Sequence, residues 1–282
     1  MKKKLIFLII LLSAGFLIYK ITLLNNQVAV QPKNKELISS KISLIEKAPI
    51  TTKNNQYKKP ELKTDLEVIW YEANNTIPVA SYLDELLSEV ENDNAHAINH
   101  LAYIDRICSG IPRNEEELNS QIKHIKIENR IQNLVDNFIL CEDYPREQFT
   151  ISEIEKMIIK AARLGSPRAK LEFAAAAIDL LDSTKFITNA ETIVDLKKEA
   201  MQHYYDAKNM GEQDALLMLA MSYKSGALVE KNLIESAAYY SAYKILNPDY
   251  SGKILENILL ELSEEEINLI NQKVEQYARC CL

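Results

Sequence analysis

Two stretches of the chain carry the same local pattern. One reads Ala161-Ala162-Arg163-Leu164-Gly165-Ser166-Pro167-Arg168-Ala169, the other Ala207-Lys208-Asn209-Met210-Gly211-Glu212-Gln213-Asp214-Ala215. Each reads as a helix end, a tight turn and the start of the next helix, with Gly165 standing to Ala169 as Gly211 stands to Ala215. A glycine just past a helix accepts the left-handed backbone that closes it. An alanine at the next start lets the neighbouring helix approach closely. A helix hairpin of this kind cannot bury its apolar face alone, so a chain that repeats it stacks the units. The richest stretch runs from Ala200 to Leu246, where small and aromatic residues recur at helical spacing between short polar turns.

Composition agrees with a helical chain. Six glycines and eight prolines in 282 residues are too few for an all-β chain full of tight turns, and apolar residues recur mostly at i, i+3 and i+4. The expected fold class is therefore all-α, in one or two domains. Charge is unevenly placed. Residues 1–62 hold 11 Lys and 3 Glu; the remainder holds 22 Lys and Arg against 37 Asp and Glu, so a head of +8 precedes a body of −15. An acidic body argues against nucleic acid as a ligand, because phosphate recognition needs a basic footprint.

The head begins Met1-Lys2-Lys3-Lys4 and continues as an apolar run from Leu5 to Tyr19, interrupted by Lys20 and extended by Ile21 to Leu24. With Lys20 snorkelling, about 20 residues span the hydrocarbon core, so Leu5, Ile10, Phe16 and Leu24 are expected in lipid. A cleaved signal peptide is the rival reading, with Ser13-Ala14-Gly15 as small residues, but the apolar run continues past them through Phe16-Leu17-Ile18-Tyr19. The three lysines favour an inside N-terminus, although Lys33, Lys35 and Lys41 weaken the bias. The expectation is a signal anchor over 1–24 in a bacterial inner membrane, crossing once, with the bulk in the periplasm. Residues 25–62, with Asn25-Asn26, Asn54-Asn55-Gln56 and Lys58-Lys59-Pro60, read as a flexible basic linker.

Residues 63–148 read as a helical preface and 149–282 as repeats with C-terminal capping helices. In the preface Ile69-Trp70-Tyr71 forms a small apolar cluster. Ser81 with Asp84 is expected to open a helix to about Glu91, and a second helix covers Ala95 to Ile107. Asn114, with Glu117 three residues on, is expected to cap one long helix to about Leu140. Cys108 and Cys141 each end a predicted helix. A direct antiparallel return would bring Cys141 to the start of the preceding helix, so spacing alone leaves the geometry open. In an oxidising compartment their disulfide is the favoured pairing. It would enclose roughly 30 residues, for which loop closure gives about 3–4 kcal/mol. Cys280 and Cys281 are left to pair with each other, link chains or stay free.

Thr150 with Glu153 and Ser263 with Glu266 have capping-box spacing, for helices Ile151 to Leu164 and onward to Ala278. From Gly165 the pattern resembles the Sel1-like repeat family, a relative of the tetratricopeptide repeat. Ala215, Leu219, Tyr223, Gly226, Val229, Asn232, Tyr239 and Tyr240 fall at that family's spacings, preceded by Ala200, Tyr204, Ala207 and Gly211. A weaker unit begins at Ala169, with Phe173 and Ala174 in register and about ten extra residues around Asp182 to Glu191. Leu228, Ser236 and Asn247 stand where the family has Gly, Ala and Gly. The resemblance covers about residues 151–247. It implies a short right-handed α-α superhelical array, with Gly165, Ala169, Ala174, Ala200, Ala207, Gly211, Ala215, Leu219, Tyr223, Gly226, Tyr239 and Tyr240 as packing residues. The helices from Ile111 to Cys141 would close one end of the array and the tail from Lys253 the other.

Candidate chemistry is sparse. His96 and His100 lie four apart, the spacing of a metal pair, but with no assured third ligand from Asp105 or Glu91 they read better as surface histidines. His124 is isolated, and His203 holds an aromatic position of the repeat. Tyrosines 204, 205, 223, 239, 240 and 243 read as repeat core before peptide groove, and Glu115, Glu116 and Glu117 as a solvated first turn. No Ser–His–Asp spacing, phosphate loop or HExxH motif occurs. The expected function is a membrane-tethered, non-enzymatic scaffold with a protein or peptide partner, no metal, no small-molecule cofactor and no nucleic acid. The alternative is an immunity or inhibitor protein against an exported toxin; a cell-envelope enzyme or its accessory subunit comes third.

Overall fold

The computed structural model describes residues 78–145, 148–179 and 190–281. The anchor residues Leu5, Ile10, Phe16 and Leu24, the linker, the Ile69-Trp70-Tyr71 cluster and most of the insertion near Asp182 lie outside the described residues. Among those described, the protein is all-α. Its helices are α1 Leu83–Glu91, α2 Ala95–Ser109, α3 Glu115–Ile122, α4 Glu128–Leu140, α5 Ile151–Leu164, α6 Pro167–Asp179, α7 Ala190–Asn209, α8 Asp214–Ser225, α9 Leu233–Leu246, α10 Lys253–Glu261 and α11 Glu264–Ala278, with 3-10 turns at Val79–Ser81 and Arg279–Cys281. None of these helices is long and apolar enough to cross a membrane.

Local signals set most of the boundaries. Thr150 and Ser263 form complete capping boxes: each hydroxyl accepts the N–H three residues on, and Glu153 or Glu266 accepts the N–H of the cap residue. The two repeated turns are the same structure. Ser166 N–H donates to Ala161 O at 2.9 Å and Glu212 N–H to Ala207 O at 3.0 Å, while Gly165 and Gly211 hold φ of 108° and 90°. That six-to-one bond requires a left-handed residue just before its donor, which is the reason for the glycine.

From α5 to α9 each helix packs on its neighbour in sequence; α2 lies against α5, and α10 and α11 cover α9. Thin alanine faces allow close stacking. On α8, Ala215, Leu216, Leu219 and Ala220 are buried in one core with Ala237, Ala238 and Ala242 of α9. Two polar residues of α9 and its end are satisfied by hydrogen bonds. Ser236 is fully buried and its hydroxyl donates across the interface to Ala220 O at 2.8 Å. Asn247 ends α9 at φ −128° without a left-handed residue, its amide donating to Gln213 Oε1 and to Tyr243 O.

The preface differs from expectation in three places. Tyr82, not Ser81, is the N-cap of α1, because the Ser81 hydroxyl is spent on Pro78 O within the preceding 3-10 turn. The long helix to Leu140 is broken at residues 123–127, where Ile127 is extended at φ −110°, ψ 116°. Unbroken from Glu115 to Leu140 it would carry its end about 39 Å away. The break turns the chain back, so Cys141 meets Cys108 with 5.4 Å between their Cα atoms, joined as a disulfide. Lastly, α1 and α2, not the Ile111 to Cys141 segment, close the array. Ile98 and Ala102 of α2 share a core with Ile154 and Ile158 of α5, whereas α4 leaves Leu134, Val135 and Phe138 half-exposed.

Candidate functional site

Three places bring together side chains that a function would use. The first is an apolar groove of about 100 Å³. Its floor is Ala174 and Ala177 of α6 with Ala200 of α7; its walls are Ile178, Ile193 and Leu196; and Ala227 and Leu228 close one side from the α8–α9 connection. Lys197 is the one charged side chain in the lining. Short alanines leave the space, and Leu228 supplies a wall. Ile178 is 49% exposed, so the lining reaches solvent through an apolar side chain. The volume is well below the roughly 300–1,000 Å³ of small-molecule sites. It suits one aliphatic or aromatic side chain, whose burial stabilises by about 1.5–3 kcal/mol. Two expected packing residues, Ala174 and Ala200, thus also form the groove floor.

The second is the tyrosine ladder across α7, α8, α9 and α11. Tyr223 stacks on Tyr239 with centroids 6.0 Å apart, and Tyr239 on Tyr277 at 4.1 Å. Tyr205 and Tyr223 share a hydroxyl–hydroxyl bond of 2.6 Å, and Tyr277 donates to Glu235, which also holds Lys273. Lys208 lies over the rings of Tyr205 and Tyr277. Burial pushes the hydroxyls of Tyr205, Tyr239 and Tyr277 far up and that of Tyr240 to about 12. Tyr204, Tyr239 and Tyr240 are buried, and Tyr205, Tyr223 and Tyr243 half-buried. Tyr205, Tyr223 and Tyr277 have their hydroxyls hydrogen-bonded inside the protein, whereas the buried Tyr240 hydroxyl has no partner among the described residues, so the ladder is core packing and not a row of free rings. Ala169, Ala207, Ala215 and Leu219 are buried, and Gly226 closes α8 with φ 72°.

The third is a set of buried polar groups that periodicity did not reveal. Lys170 of α6 is buried, and its ammonium lies 3.1 Å from His203 Nδ1 and 3.0 Å from Asp206 Oδ2. Arg163 forks onto Glu199 at 2.8 and 3.1 Å, and His203 Nε2 stands 3.6 Å from the same carboxylate. His203 also meets Phe173 edge-on at 4.5 Å, so packing explains only part of its place. Burial, then the Lys170 charge, holds its imidazole below the ordinary value. Burial alone would push Asp206 up, but hydrogen bonds from Gln202 and Lys170 bring it below the usual carboxylate range.

In the preface His100 is no surface histidine. It is buried, shares a 3.0 Å hydrogen bond with the Tyr82 hydroxyl, and burial lowers its pKa to about 4. Asp105 is buried too and accepts from Tyr144 at 3.1 Å; burial pushes its carboxyl up, against hydrogen bonds from Tyr144 and the backbone of Gln148 and Phe149. A sequence signal for these was present: polar residues on the inward stripe of an otherwise apolar helix. Glu115, Glu116 and Glu117 are exposed in the first turn of α3. The chain matches no protein-family model and no curated protein.

Proposed function

We propose that this chain is a non-enzymatic protein-binding scaffold of the Sel1-like type, tethered by its N-terminal segment to a bacterial inner membrane with its helical array in the periplasm. Its repeats form a right-handed superhelix, and the groove floored by Ala174, Ala177 and Ala200 takes an apolar side chain of a protein or peptide partner. One observation carries the reading: an alanine-floored apolar groove opens to solvent beside the exposed lining residue Ile178. Lys197 is its one charged lining residue.

The test places a photoreactive amino acid at Ile193, in the groove lining, in the full-length chain and crosslinks in membranes of the native host. Capture of one defined protein is expected. Ile178→Glu, which charges the mouth, and Ala177→Trp, which fills the floor, should each abolish it while leaving helical circular dichroism unchanged. Capture indifferent to both variants, or cleavage of peptidoglycan by the purified chain, overturns the reading.

A further inference from the structure

Helix α4 carries an apolar face that the described residues cover only in part. Ile131, Leu134, Val135 and Phe138 recur at i, i+3, i+4 and i+7, which aligns them on one side of the helix. All four are half-exposed. None belongs to either buried core, nor to the half-buried side chains packed against those cores. Leu140, at the end of the helix, is the one buried residue of α4, in a core with Cys141. Among the described helices α4 packs chiefly on α2 and α3.

The chain enters the fold from the same side. Val79 is fully buried in the core that holds Leu140 and Cys141, so the residues before Pro78 emerge from the core on which α4 ends. Just ahead in sequence, Leu66, Ile69, Trp70 and Ala73 repeat the spacing i, i+3, i+4 and i+7, and Trp70 is the single tryptophan of the chain. Glu72, Asn74, Asn75 and Thr76 separate this pattern from Pro78. The stretch from Trp70 to Pro78 reaches at most about 28 Å, whereas α4, with 13 residues, is about 20 Å long. Trp70 can therefore reach the middle of the face, at Leu134 and Val135. Area decides between occupants. A strip about 20 Å long and 10 Å wide falls well short of the roughly 800 Å² per partner that holds separate chains together. A segment tethered this closely stays at about millimolar effective concentration and docks on a smaller contact.

We infer that the apolar face of α4 is the docking site for residues 66–73 of the same chain, with Trp70 set against Leu134, Val135 and Phe138. The contact joins the N-terminal segment to the preface. A pull on that segment then passes through α4 and the Cys108–Cys141 disulfide to α2, and the faces of α5 to α9 take no part. The contact does not use the groove of α6 and α7, so its failure would leave the scaffold reading untouched.

The test uses the full-length chain in lipid vesicles, as an equal mixture of isotope-labelled and unlabelled copies, with photoreactive benzoylphenylalanine in place of Phe138. Irradiation and peptide mass should give an adduct between α4 and residues 66–73 of one isotope composition, hence within one chain. Ile69→Glu, in the segment and outside the described fold, and Leu134→Glu, on the half-exposed face, should each lower that yield about tenfold, the effect of losing one buried aliphatic side chain. In chains that keep Phe138, both variants should also shift Trp70 fluorescence to the red and open it to acrylamide quenching. Adducts of mixed isotope composition, which mean a second copy, adducts to lipid in place of the segment, or a Trp70 emission that neither variant moves each overturn the proposal.

Discussion

The ammonium of Lys170 lies 3.1 Å from Nδ1 of His203, one helix away, and the contact fixes the protonation of the ring. Nδ1 accepts from the lysine, so the ring proton sits on Nε2, facing Glu199 at 3.6 Å. Lys170→Met removes the facing positive charge and leaves half-exposed Asp206 to water. The variant should lose about 1–2 kcal/mol, and its His203 should titrate closer to the ordinary value. Native His203 is depressed, so its contribution is complete above the unfolded value of 6.5 and is lost as pH falls toward the folded one. Imidazole proton NMR across pH, with urea unfolding at each pH, checks both points; an unmoved His203 titration contradicts the assigned hydrogen bond.

His100 makes the larger acid-sensitive contribution. Its pKa falls from 6.5 to about 4 through burial, so the folded state binds fewer protons than the unfolded state between those values. Stability is complete above pH 6.5 and falls by about 3 kcal/mol as pH drops to 4. Asp105 works in the opposite sense: its raised pKa favours the folded state at low pH. His100→Gln, which keeps an amide for Tyr82, should flatten the curve between pH 6.5 and 4, read as urea midpoints. A variant with the wild-type slope places the acid sensitivity elsewhere.

The Cys108–Cys141 disulfide closes a loop of 33 residues in sequence separation. Replacing both cysteines by serine should cost about 3–4 kcal/mol through the freed unfolded chain. Hydrogen exchange should show the loss first in α3 and α4, which touch the rest of the protein mainly through α2. Uniform loss across α5 to α9 would mean that the preface and the repeats unfold as one unit.

Two glycines separate conformational strain from crowding. A Cβ at Gly165 meets nothing within 4 Å, so Gly165→Ala should cost only the left-handed penalty of about 1–2 kcal/mol. At Gly226 the Cβ would also lie 3.3 Å from Lys231 Cβ, so Gly226→Ala should cost more. Thermal unfolding of the two variants side by side checks the order.

What the sequence by itself determined is the local structure: the helical class, the capping boxes at Thr150 and Ser263, the paired turns at Gly165 and Gly211, and the inward alanines of α8 and α9. These follow from interactions reaching only a few residues along the chain, where spacing is geometry. Tertiary structure alone decided the rest. The break at residues 123–127 follows from where Cys108 waits for Cys141, a contact 33 residues away that no helical period encodes. The hydrogen bond that His100 makes with Tyr82 and the Lys170–His203–Asp206 cluster depend on partners from other segments of the chain. The groove depends on Leu228 meeting the ends of two helices that precede it. Each of these is a meeting of side chains distant in sequence, and the space or charge they share exists only once the helices are stacked.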